Sequence, residues 1–508
     1  MAELGAGEIA EQVALILNRS PAVGLAVGVV RSGELPFFHG HGVAEVSSRT
    51  PVTPETVFRV GSLTKTFTAV AVMQLWERGK VDLDAPAEDY LRSYRLVPTK
   101  PAFSPVTMRH LMTHTAGIRE VLHPSGVLRP LFGETVKSGH SVPSLAKYYR
   151  HGVRVEAEPG TRFRYTDHGF ATLGQIVEDV TGEPLDRYLR EHVFAPLGMV
   201  DTTLIRSGRI TPRLATGYVM GSRGPRAVPD YEVVTAAAAA AYSTSADIAR
   251  YVEALLGGGA NVHGRVLQPA TLSSMFAPQY QPDPRIPGLG LAFFRGTVAG
   301  TQVIEHQGIV PGFNAEIFLA PHDGVGVMAL TNGSPGATMW MPVEMGRLLG
   351  FLLRVQAEEM RTDVPQHPEV WNEVCGWYSL SGPLTDVRAR GALGAGVEVF
   401  VRRGRLMLRS ISAIPGLYRG LPLHPDDAED PYVFRLQVSE EGFGVRVVFS
   451  RAPGGGATAV HLDVMPLSAL RRRRATDPRR WLRAAGGAAG LSLVATTLRR
   501  SRRRLSRS

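Results

Sequence analysis

Cysteine is almost absent. Cys375 is the only one in 508 residues, so no intramolecular disulfide can form and oxidising export is not implied. The opening stretch Met-Ala-Glu-Leu-Gly-Ala-Gly-Glu-Ile-Ala-Glu is acidic and lacks an apolar centre, so no secretory signal is visible and the body reads as cytoplasmic. There is no H-E-x-x-H, no His/Cys/Asp cluster at metal spacing and no phosphate-cradling glycine loop. The glycines at 391, 394 and 396 read as a turn. No metal and no other cofactor is expected. A G-x-S-x-G elbow is missing as well, so no nucleophile of that kind competes with the serine described below.

Negative charge is scarce in one place only. Residues 471–508 hold 13 Arg against a single Asp, so the formal net charge of +10 belongs to this tail and the first 470 residues sum to −2. The body therefore gives no reason to expect an acidic partner. Within the tail an apolar run at 484–498 would span roughly 22 Å as a helix, short of the ~30 Å of a bilayer interior. Trp481 and the flanking arginines could extend its reach by anchoring and snorkelling. Three readings stay open: a disordered basic tail, attachment to an anionic membrane surface, and salt-sensitive contact with nucleic acid. No specific nucleic-acid recognition is expected, because arginine without interleaved aromatics reads no sequence.

A hydrophobic content of 44% and a charged fraction of 20% describe a core-forming globular chain whose length suggests two to four domains. The most apolar helical stretch in its first third, residues 66–76, is hydrophobic on nearly every side, the mark of a helix buried in the middle of a domain. Gly61-Ser62-Leu63-Thr64-Lys65 opens it. Ser62 is placed at the first turn, where backbone N–H groups lack partners and favour negative charge. Lys65, three residues on, projects from the same face. A serine needs a neighbouring base to become a nucleophile, and a lysine desolvated by burial can serve.

Around this segment the chain predicts a first amphipathic helix over 8–19, then a hairpin whose first strand covers 22–30. Strand 57–60 delivers the chain to Gly61. Further helices are expected at 106–114, 169–180 and up to Leu256, the last capped near Ser243-Thr244-Ser245. Short strands at 289–294, 302–306, 315–319 and 325–331, separated by Gly/Pro turns, favour antiparallel pairing. Residues 359–369 read as a linker after a first domain over 1–358. Residues 370–468 form a small all-β module with a hairpin turn at Arg403-Gly404, and 469–508 form the tail.

Ser62-Leu63-Thr64-Lys65, Tyr165-Thr166-Asp167 and His306-Gln307-Gly308 follow one another in this order. Leu111-Met112-Thr113-His114-Thr115-Ala116-Gly117, Pro196-Leu197-Gly198-Met199 and Pro311-Gly312-Phe313 accompany them. Together they resemble the serine β-lactamase and D,D-peptidase superfamily, in the branch of class C β-lactamases, esterases and D-aminopeptidases, over residues 1 to about 355. The resemblance implies an α/β (α+β) fold, an antiparallel sheet flanked by helices with a helical subdomain. The module at 370–468 is similar to a lipocalin-like domain that some members carry.

It also implies a serine hydrolase in which Ser62 forms an acyl-enzyme, while Lys65 and the Tyr165 phenol share the proton transfers. Backbone N–H groups of Ser62 and Ile309, the latter just after Gly308, would form the oxyanion hole. His306 would line the strand side of the cleft, and His114 would serve the turn beneath the site. Two departures stand out. Asp167 replaces the family's Asn, removing an amide donor and favouring a charged Lys65. Alanines at 236–241 replace a glycine-rich patch. Both the lost donor and the poorer base count against β-lactam and peptide turnover more than against ester cleavage. The expected partner is a small ester or amide. The alternative is a non-hydrolytic acyl-binding or scaffold protein on the same fold.

Overall fold

The computed structural model describes residues 5–31, 34–119, 134–356, 360–361, 363–380, 393–412, 415–438, 444–453 and 455–472. They form two compact units. The first comprises the chain to Glu359 with Asp463–Leu467, and the second comprises Met360–Leu462 with the residues from Ser468.

Helix α1 (Ala6–Arg19) buries Ile9, Val13 and Ile16 along one stripe, the spacing that predicts an amphipathic helix. Strands β1 (Gly24–Arg31), β2 (Glu34–Glu45) and β3 (Thr50–Pro51) follow. Later in the chain come α2 (Thr64–Glu77), α3 (Asp167–Thr181) and α4 (Ser245–Leu256). Strands β4 (Phe294–Val298), β5 (Thr301–Val310), β6 (Phe313–Ala320) and β7 (Val325–Thr331) precede α5 (Ala337–Leu353). The seven strands make one sheet in the order β4-β5-β6-β7-β1-β2-β3. Every pairing in it is antiparallel.

Both faces of the sheet are covered. Leu25, Val27 and Val29 of β1 join Ile9, Val13 and Met345 in one core, while Ala26 and Val30 face the other core with Phe67 and Val70 of α2. This two-sided burial explains why β1 reads as a nearly continuous apolar run. Helix α2 is buried from Thr64 through Leu75, as its all-round hydrophobicity predicts. Ser62 itself lies one step earlier, in a 3-10 turn over Gly61–Leu63. The turn is tightened by Thr64 Oγ1 donating to Gly61 O at 2.6 Å. The expected strand over 289–294 is corrected. Ala292 adopts φ 65 there, which breaks extended backbone, and regular pairing begins only at Phe294.

In the second unit eight strands close a barrel. Arg403 and Gly404, with φ 51 and 70, form the tight turn between Gly396–Arg402 and Arg405–Ser410. Val399, Leu408, Phe434, Val447 and Phe449 share its core. The closing strand runs Met465–Arg472, pairing Tyr378 with Arg471 and Trp377 with Arg472. The closing strand therefore runs past the expected 468, and Arg471 and Arg472 belong to the module rather than to the tail. The apolar run at 484–498 lies outside the described residues. Among the described residues, no helix is long and apolar enough to cross a membrane.

Candidate active site

The nucleophile turn is held from both sides by backbone. Strand Val57–Arg59 pairs with Tyr242–Thr244, and Val60 N donates to Ala241 O at 3.0 Å. Arg59, 3% exposed, lies between the rings of Tyr231 and Tyr242 at 4.2 and 4.5 Å and donates to Tyr231 O. On the opposite side stands β5. Its pairing with β4 stops at Glu305. The Gly61–Leu63 turn lies against the residues beyond it. A Cβ on Gly308 would sit 1.9 Å from Val60 O, and one on Gly61 would sit 2.7 Å from Ile309 N. Only glycine at both positions lets two backbones meet this closely. The Ile309 amide is thereby set beside the Ser62 turn, the arrangement an oxyanion hole requires.

Lys65 is fully buried and spends each of its ammonium hydrogens. Nζ lies 2.9 Å from Ser62 Oγ, 2.6 Å from Asp167 Oδ1 and 3.2 Å from Ala238 O. It also stands over the Tyr165 ring at 4.8 Å. Burial alone would push its pKa down. The Asp167 carboxylate and the Tyr165 phenol outweigh burial and hold it above the ordinary lysine range. Lys65 is thereby held as a cation beside Ser62, the state that Asp167 favours. Burial raises the Tyr165 phenol, and the neighbouring Lys65 cation and Ser62 hydroxyl oppose that rise.

Asp167 opens α3, capped by Thr166, whose Oγ1 accepts from His168 N at 3.2 Å. The carboxylate is 24% exposed while it pairs with Lys65. Gln307 turns to α5, donating to Thr338 O at 3.2 Å, so His306 and Gly308 share the opposite face of β5. The His306 ring is only 1% exposed and meets Phe294 edge-on at 5.8 Å. This is the face that meets the nucleophile turn, where a Cβ on Gly308 would reach Val60 O.

Sequence reading missed one contact. Ala236–Ala239 forms a short buried helix whose carbonyls take Lys65 (from Ala238) and the Thr68 hydroxyl (from Ala237, 2.7 Å). A Cβ on Gly174 of α3 would lie 2.4 Å from the Ala237 Cβ, so small side chains are what let α2, α3 and this helix converge. The run of alanines was the available signal. His168 is fully buried, with Nδ1 2.7 Å from the Tyr149 hydroxyl. No functional cation site is assigned. Glu183, Glu191 and His192 bring ligand atoms together far along the chain from these residues, but Glu191 is already paired with Arg187 and Arg190.

Comparison with known proteins agrees with this geometry. Residues 12–343 match the Beta-lactamase family. The chain is 28% identical over 343 residues to the unguisins hydrolase ungD' of Aspergillus campestris (strain IBT 28561), covering 64% of this chain and 61% of that relative's length. It is 27% identical over 349 residues to penicillin-binding protein 4 of Amycolatopsis lactamdurans, covering 66% of this chain and 87% of the relative. Its fold is similar to that of the octameric penicillin-binding protein homologue from Pyrococcus abyssi, with a TM-score of 0.60 at 23% identity, covering 92% of this chain and all of the other.

Proposed function

The chain belongs to the Beta-lactamase family, and from that premise we propose that it is a serine hydrolase that forms an acyl-enzyme on Ser62 and prefers esters to β-lactams or peptides. One observation carries the reading: Lys65 Nζ lies 2.9 Å from Ser62 Oγ on a turn pressed against the Gly308–Ile309 backbone. Ser62 Oγ attacks the carbonyl carbon, and its proton passes to Tyr165. Negative charge on the carbonyl oxygen is met by the N–H groups of Ser62 and Ile309. Tyr165 then protonates the departing alkoxide or amine, and later takes a proton from the water that releases the acyl group. Lys65, as a cation, favours the phenolate that these steps need.

Asp167 supports the preference for esters. It supplies no N–H to a substrate amide carbonyl, and its charge opposes phenolate formation at Tyr165. An ester tolerates both losses because its alkoxide leaves more readily than an amine. Replacing Asp167 with Asn removes a negative charge beside Tyr165 and Lys65, so both groups release their protons more easily. The rising limb of kcat/KM for a short-chain aryl ester is expected to move to lower pH by about one unit. Acylation by a penicillin should increase relative to ester hydrolysis. Stopped-flow acylation and a pH profile on both substrates check this, and an unchanged ratio with an unmoved profile contradicts the role given to Asp167.

The tail supports a second, separate proposal, an anionic membrane surface as partner. Residues 473–508 hold 11 Arg and one Asp. Each arginine near an anionic leaflet contributes about 1 kcal/mol before screening. A chain ending at Arg472 keeps the barrel's closing strand, and is expected to lose flotation with phosphatidylserine vesicles at low salt while retaining ester turnover. Full-length protein that does not float at low salt contradicts membrane attachment.

A further inference from the structure

Resting on the assignment of Tyr165 as the proton-transfer group, we propose that His114 is a positioning residue that fixes the Tyr165 phenol over Lys65. His114 grips the segment at three consecutive residues. Its carbonyl accepts from Arg164 N at 2.7 Å, and its ring stacks on Tyr165 at 4.2 Å and 27°. Its Nδ1 accepts from Thr166 N at 3.2 Å. The last contact assigns the neutral tautomer with its hydrogen on Nε2. Such a grip needs unusual backbone. His114 has φ 54, a left-handed conformation uncommon outside glycine and costly to keep without compensation.

The surroundings lock the ring in place. His114 is 2% exposed, with Phe170 of α3 at 5.1 Å and Phe163 at 5.8 Å between ring centroids. Because Thr166 caps α3, the same hydrogen bond sets the start of the helix that carries Asp167. One side chain thus orients two of the groups around Lys65 without touching substrate. Displacement of a proton-transfer group by about 1 Å can cost on the order of 100-fold in rate.

Two variants of the full-length chain separate positioning from simple support. His114→Ala removes the ring and the acceptor. His114→Asn removes the ring but keeps an acceptor where Nδ1 stood, and asparagine tolerates the left-handed backbone. For a short-chain aryl ester, His114→Ala is expected to lower kcat by about 30- to 100-fold with KM within about twofold. His114→Asn is expected to recover at least about fivefold of that loss at a thermal midpoint similar to that of the alanine variant. Fluorophosphonate labelling of Ser62 should slow in the same order. If alanine does not fold, the asparagine variant compared with wild type carries the test through kcat against KM. Positioning is overturned if kcat holds while KM rises, if folded alanine matches wild type, or if asparagine is no better than alanine. Failure of wild type to label at Ser62 would instead overturn the hydrolase reading itself.

Discussion

Ser62→Ala is expected to lose hydrolysis of a short-chain aryl ester by about 10⁴-fold or more, because no other group can carry the acyl chain in a covalent route. The loss should fall on kcat, with thermal stability little changed. Ser62 is 9% exposed and gives up one hydroxyl, while Lys65 keeps Asp167 Oδ1 and Ala238 O as acceptors. Steady-state kinetics and a thermal melt check both halves. Wild-type turnover in a folded alanine variant would place the nucleophile elsewhere.

The second large effect is expected at Gly308. Alanine there would bring a Cβ within 1.9 Å of Val60 O and 3.2 Å of Leu63 N, backbone atoms that cannot swing aside. Strand β5 must retreat from the nucleophile turn, carrying the Ile309 N–H with it. Removing one oxyanion donor typically costs 10²- to 10³-fold, so Gly308→Ala should lower kcat by about that factor. Gly296→Ala on β4 is the control. Its Cβ would meet only Val303 Cγ2 at 3.4 Å, and near-wild-type turnover is expected. Equal turnover in the two variants, with both folded, would remove Ile309 from the oxyanion hole.

Much of this site is legible in the sequence because side-chain spacing carries it. Ser62 and Lys65 need only a helical turn between them, and an apolar run marks that turn as buried. Asp167 is legible as a departure, and its consequence follows from charge: Lys65 Nζ lies 2.6 Å from its carboxylate. What escapes reading is set by backbone. Ala238 contributes a carbonyl, which no residue type announces. Ala292 and His114 take left-handed backbone without being glycine, which ends the expected strand in one case and builds the Tyr165 grip in the other. Arg471 looks like tail by charge. Its guanidinium donates to the Glu373 and Cys375 carbonyls at 2.7 and 2.9 Å, so it is a structural member of the barrel.

The proton inventory turns on Asp167. From sequence, a buried lysine beside a serine suggests a depressed pKa and a neutral amine. Three acceptors around Nζ, one of them the carboxylate whose presence in the sequence already favours a charged Lys65, reverse that sign and support Tyr165 as the proposed acceptor of the Ser62 proton. The Asp167→Asn profile and the His114 variants both read out that assignment.

The most direct measurement of the central claim is intact mass followed by peptide mapping after incubation with a fluorophosphonate. A single adduct per chain is expected, on the peptide containing Ser62, and none on the Ser62→Ala chain. An adduct on any other residue, or an unmodified wild-type chain that still hydrolyses the ester, would contradict the acyl-enzyme on Ser62.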